Sequence, residues 1–123
     1  MTNLLKASML LKLGGPSKLQ NKMQVSNKLS IMNHWDMRYC ELTNTEFSWY
    51  EAKNEKKCNS IEISSIKQII RVLGRHLEKN FVFRITTPKK SYIFAVDCHE
   101  AQIEWTNILQ ELSGVTVQDE VSV

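Results

Sequence analysis

The sequence predicts a mainly β domain with one helix: seven antiparallel strands in a small barrel or sandwich, capped by a C-terminal α-helix. Three observations predict it. Short runs with a period of two recur between residues 8 and 96, polar turns separate them, and one stripe of helical period follows. Antiparallel strands that cannot cover their own inner face, followed by a single amphipathic helix, close by seating that helix over one end.

Each element has its own signal. Ser8–Leu13 is an apolar strand that stops at Gly14-Gly15-Pro16, where glycine and proline break the pairing. Trp35–Leu42 and Glu46–Glu51 flank Thr43-Asn44-Thr45 as a hairpin, with Trp35, Met37 and Tyr39 alternating in its first arm. Ser60–Ile63 and Ile66–Leu73 supply two shorter or less regular strands. Phe81, Phe83 and Ile85 alternate with Val82 and Arg84, Thr87-Pro88-Lys89-Lys90 turns the chain, and Tyr92, Phe94 and Val96 resume the period of two. A helix over Asp97–Ser113 comes last. Asp97 and Glu100 form a capping pair, and Ala101, Trp105, Ile108, Leu109 and Leu112 make its apolar stripe. Gln102, Glu104 and Gln110 lie off that stripe, and Gly114 suits the left-handed residue that ends a helix. Residues 1–114 are thus one domain with a long first loop over 14–33, and 115–123 are expected to be a flexible tail.

Composition limits the function classes. The 123 residues suffice for one core, and the 42% apolar and 24% charged fractions are those of a soluble globular chain. No window reaches the roughly 20 apolar residues of a membrane span, and no secretory leader is expected. Cys40, Cys58 and Cys98 are an odd, scattered set without CxxC spacing, and His34, His76 and His99 share no ligand spacing with them. Neither a disulfide framework nor a metal site is expected, and the plain reading is a cytoplasmic chain with free thiols. No nucleophile–base constellation and no phosphate-binding glycine loop is present, so the chain is read as a binding module without cofactor and not as an enzyme. The net charge of +3 is uneven: residues 1–35 hold five lysines and no acid, leaving 11 basic and 13 acidic groups beyond. That points to an anionic partner. The lysines lack interleaved aromatics and arginines, which argues against nucleic acid.

Three fragments in this order and spacing resemble the pleckstrin homology (PH) family across about Ser8–Leu112. They are Ser8-Met9-Leu10-Leu11-Lys12-Leu13-Gly14-Gly15, then Trp35–Leu42 with Phe47-Ser48-Trp49-Tyr50-Glu51, and finally Glu100–Leu112 containing Trp105. The resemblance implies that Trp105 is structural and plugs the barrel. It also implies a phosphoinositide site at the open end, among the loops after strands one, three and six. Those loops carry Lys18, Lys22 and Lys28, then Lys53, Lys56 and Lys57, then Lys89 and Lys90. Lys12 and Arg38 match basic positions of the family's lipid-binding pattern, and Tyr50 matches a position that in some members bonds the lipid. The headgroup set expected from the resemblance is therefore Lys12, Lys18, Lys22, Arg38, Tyr50, Lys53, Lys57 and Lys89.

The chain departs from that pattern at Asp36, where a basic residue is usual, and Met37 replaces another commonly basic one. An aspartate there repels phosphates and draws on Arg38, so low-specificity capture of anionic lipid is expected in place of tight headgroup selection. Leu19, Met23, Val25, Leu29, Ile31 and Met32 of the first loop either enter the lipid interface or cover the barrel edge. The reading is a monomeric membrane-targeting or adaptor module, peripheral at the cytosolic face of a membrane. The alternative is a protein–protein interaction module of a signalling protein without a lipid site.

Overall fold

The computed structural model describes residues 3–14 and 34–122, and the long first loop lies outside them apart from Gly14. Among the described residues, eight strands and one α-helix follow in the order β1 (Leu4–Leu13), β2 (Trp35–Thr43), β3 (Glu46–Tyr50), β4 (Lys57–Glu62), β5 (Gln68–Leu73), β6 (Val82–Thr86), β7 (Ser91–Ala95), α1 (His99–Ser113) and β8 (Val117–Val121), with a short 3-10 turn (Ile63–Ser65) between β4 and β5. They make one sheet in the order β4-β3-β2-β1-β7-β6-β5-β8, antiparallel throughout except for the parallel pair β5–β8. The expected architecture of a mainly β chain with one C-terminal helix is borne out.

Side chains show that the sheet curls. Phe47 on β3 stacks on Phe94 on β7 with ring centres 4.9 Å apart, although β2 and β1 lie between those strands in the sheet. The inner face therefore closes on itself around one core that includes Leu10, Cys40, Leu42, Ile61, Ile69, Phe83 and Ile85. Trp105 is 1% exposed and stacks on Phe47 at 5.4 Å, so α1 plugs one end as expected. A smaller cluster of Ile70, Val72, Val82 and Ala95 packs with Leu11, Trp35 and Ile93.

Turn chemistry fixes the hairpins. The Thr43 hydroxyl accepts the N–H groups of Thr45 (3.3 Å) and Glu46 (3.1 Å), a local bond that favours the turn over continued strand. Asn54 takes a left-handed φ of 65° between β3 and β4, a conformation asparagine tolerates better than most residues. Between β6 and β7 the Thr87 N–H reaches the Lys90 carbonyl (2.9 Å) and the Thr87 hydroxyl accepts from Lys89 (3.3 Å) and Lys90 (3.4 Å). That turn sets where its two lysines stand.

The structure corrects four expectations. The first strand begins at Leu4 and the fourth at Lys57, each earlier than the apolar pattern showed. The helix starts at His99 with Cys98 as N-cap and no side-chain cap, because the Val96 N–H still bonds the Phe81 carbonyl (2.9 Å) and holds the chain to the sheet. Gln102, placed off the apolar stripe, is fully buried: its Nε2 donates to the Val72 (2.9 Å) and Val82 (2.8 Å) carbonyls. Finally, residues 117–121 are not a loose tail but an eighth strand along β5. Gly114 does end the helix, at φ 74°.

Candidate functional site

At the end of the barrel away from Trp105, the strand register gathers cations on the inner face. Lys12 lies across from Asp36 on β2 and from Phe94 on β7, and Arg38 lies across from the buried Leu10. Residues two apart share a face, so Lys12, Asp36 and Arg38 all turn toward the mouth. The Lys12 ammonium stands 5.3 Å from the centre of the Trp49 ring and 5.9 Å from that of Tyr92. Lys90 sits 5.0 Å from the same Tyr92 ring. Two lysines from different strand ends thus share one aromatic platform, whose electron-rich faces hold cations in a partly dehydrated setting.

Electrostatics confirm the crowding. Burial, and after it the repulsion of Lys90, holds the Lys12 ammonium below the ordinary lysine value; Asp36 opposes the shift and Arg38 adds to it. The Asp36 carboxylate lies 3.6 Å from the Arg38 guanidinium and 2.9 Å from the His34 Nε2. Arg38 also donates to the Met37 carbonyl (2.8 Å). Asp36 therefore stands beside Lys12 and Arg38 as the sequence implied, and draws on Arg38. Among the described residues no group of histidines, cysteines and carboxylates is arranged to hold a metal. What the mouth can do chemically is offer converging positive charge, tempered by one carboxylate, to an anion.

Other expected residues lie elsewhere. Lys57 is bound to Glu46 at 2.8 Å, and this lysine, with the Ser48 hydroxyl, holds the Glu46 carboxyl below its usual range. Glu46 flanks the inward Phe47, so that pair is on the outer face of β3. Tyr50 lies across from Tyr39, next to the inward pair Cys40–Trp49, and so faces outward as well. Burial and then Glu41 raise the pKa of its hydroxyl. Neither Lys57 nor Tyr50 joins Lys12. Lys53 is exposed in the β3–β4 turn. Lys89 lines a cleft of about 380 Å³ with Asn59, Ile61, Pro88 and Tyr92, beside the mouth. Lys18 and Lys22, with the apolar residues of the first loop, lie outside the described residues. The expected headgroup set left out Lys90, which was counted among the loop lysines and stands two residues before the inward Tyr92, and His34, whose signal was its place two residues before Asp36.

Comparison with known proteins agrees with the fold. The family model described as PH domain matches residues 5–114. Ras GTPase-activating protein 3 of Mus musculus and of Rattus norvegicus is 29% identical over 83 residues, which is 67% of this chain and 10% of the relative. The chain thus matches about a tenth of the length of those relatives. The carboxyl-terminal PH domain of pleckstrin superposes with a TM-score of 0.67 at 18% identity, covering 92% of this chain and 99% of that one. The same domain in complex with D-myo-Ins(1,2,3,4,5)P5 gives 0.64 at 16%, covering 90% and 99%. The Slm1 PH domain in complex with phosphoserine gives 0.65 at 14%, covering 91% and 97%.

Proposed function

The chain belongs to the PH domain family, and we propose that it is a non-catalytic membrane-targeting module whose basic mouth captures phosphate-bearing anions. PH domains are in general binding modules without catalysis. The observation that carries the finer reading is the meeting of Lys12, Lys90 and Arg38 around Tyr92 and Trp49, with Lys12 already partly stripped of water. An anion there regains for Lys12 the charge stabilisation that burial removed. Solved relatives of the same fold hold an inositol pentakisphosphate and a phosphoserine, which supports the ligand class. The exposed Met9 (47%) and Met37 (55%) add apolar surface able to enter a lipid interface. Asp36 makes the capture weak and of low selectivity, and the likeness to a Ras GTPase-activating protein supports a signalling setting.

Two ligand sources share this chemistry, a membrane headgroup and a free inositol phosphate. Sedimentation with phosphatidylinositol-bisphosphate vesicles, phosphatidylserine vesicles and calorimetry with inositol hexakisphosphate separate them. Binding weakens with salt and is lost in an Arg38→Gln/Lys90→Gln variant. Asp36→Lys removes one repulsive charge and adds an attractive one, so affinity rises by about tenfold. Binding that ignores salt, charge loss and Asp36→Lys alike removes the mouth as the site and favours a protein partner.

A further inference from the structure

The open ends of β1 and β2 carry a short row of charge that departs from the family pattern at Asp36. The Gly14 N–H donates to the His34 carbonyl (2.8 Å), pinning the two strand ends together. His34, Asp36 and Arg38 then follow at alternate positions, with Lys12 across from Asp36. The His34 Nε2 lies 2.9 Å from one oxygen of Asp36, and the Arg38 guanidinium lies 3.6 Å from the other. A side chain at position 14 would meet that second oxygen at 2.9 Å and His34 Cδ2 at 3.4 Å, so glycine lets the carboxylate lie against the backbone here. The Asp36 side chain is only 30% exposed, and its two oxygens face two different partners.

Those partners differ in one respect. Arginine stays charged, whereas histidine is the side chain whose charge changes between about pH 5 and 8. With His34 neutral, the row sums to zero and Asp36 leans on Arg38. With His34 protonated, the row sums to +1 and Asp36 is neutralised from the other side. We propose that His34 is a positioning residue for the basic mouth: by taking a proton it engages Asp36, frees Arg38, and makes anion capture stronger as the pH falls. The inference rests on the reading of the mouth as an anion site. Of the other titratable and charged groups among the described residues, Lys12 lies across from Asp36, and Lys90 and the Cys58 thiol act on Lys12 in turn; the Cys40 thiol, two residues from Arg38 on β2, is acted on by Lys12 and Arg38, and burial pushes its pKa up to about 12.

The test is calorimetric titration of the whole chain with myo-inositol hexakissulfate, near pH 7.5 and again near pH 5.5. Sulfate esters keep their charge over this range, whereas a phosphate monoester gains a proton near pH 6 and would confuse the result. Wild type binds about fivefold more tightly at the lower pH, the effect of one added charge after screening. His34→Gln, close in size and unable to gain a charge, flattens the profile near the wild-type value at pH 7.5. Asp36→Asn binds more tightly than wild type at pH 7.5 and responds less to acid. Any response of Lys12 or Cys58 persists in His34→Gln, and so is told apart from that of His34. As a second readout, ligand shifts the nuclear magnetic resonance titration of His34 to higher pH, as reciprocity between proton and anion requires. A flat wild-type profile with measurable binding overturns the role of His34 and leaves the anion site standing. A full acid response in His34→Gln does the same. Absence of binding at both pH values, in wild type and in Asp36→Asn, removes the anion site and this inference with it.

Discussion

Lys12 is the residue on which the mouth turns. Its ammonium gives up water to lie near two rings, and burial followed by Lys90 keeps its pKa below the ordinary lysine value. A phosphate settling between Lys12 and Lys90 reverses both effects, so the bound state has the higher pKa. Between the two values, binding must take up a proton. Calorimetry at a series of pH values up to the ordinary lysine value, each in two buffers of different ionisation enthalpy, will therefore show net proton uptake that Lys12→Met abolishes. No uptake in wild type would place the ligand away from Lys12. Lys12, Arg38 and Asp36 were legible in the sequence because a strand's period of two carries residues of like parity to one face. Lys57 was not, because the β3–β4 pairing shifts between Trp49 and Tyr50 and a count of lysines per loop does not say which side of the sheet each one takes; the outward place of Tyr50 follows from the same parity beside Trp49, and the resemblance had overridden it. Lys90, two residues before the inward Tyr92, was legible by that same parity, and the Thr87 turn bonds hold the chain there.

The helix shows the same division at the scale of an element. Its existence, its Trp105 and its Gly114 stop followed from spacing and from the left-handed ending. Its buried polar residue did not. Gln102 reads as solvent-facing by type, yet its two donated bonds close the ends of β5 and β6, and its oxygen lies 3.2 Å from the His99 Nδ1. What decided its place was a pair of strand-end carbonyls needing donors, a demand visible only once the sheet is folded. Gln102→Leu fits the volume but leaves both carbonyls short of a partner in a buried site, and costs about 2–4 kcal/mol. Urea unfolding will show a lower midpoint at an unchanged slope. Glu104→Gln on the exposed side, which loses only the surface pair with Lys6 (2.9 Å), shifts stability by under about 1 kcal/mol. Equal losses in the two variants would mean that the Gln102 bonds contribute little.

At the scale of the whole molecule, a sheet that curls without closing has two edges, and this chain covers each differently. On β4 the Ser60 N–H is taken by the Asn59 side chain (2.8 Å) and the Glu62 carbonyl by the Ser65 hydroxyl (2.7 Å), which blunts the edge locally. On β5 a further strand does the covering. β8 was invisible to periodicity because Val117 is its one half-buried residue, and the family match ends at residue 114. What holds it is the backbone ladder, with Arg71 reaching Asp119 (3.2 Å) and Arg84 reaching Glu120 (3.4 Å). The Ser122 N–H bonds the Leu73 carbonyl (2.9 Å), so by parity Glu120 also turns its backbone toward β5. Glu120→Pro removes that donor and will release the strand, at about 1–3 kcal/mol. Amide exchange reads this residue by residue. Arg71 and Leu73, whose N–H groups point toward β8, will exchange about tenfold faster, as that opening cost implies, whereas Ile70 and Val72, turned toward β6, keep their protection. Because Lys12, Arg38 and Lys90 stand on neither β5 nor β8, anion affinity stays within about twofold of wild type, the additivity expected of separate sites. Unchanged exchange at Arg71 and Leu73 would show that β8 does not guard this edge. A drop in anion affinity would instead show that the edge and the mouth are coupled through the shared core.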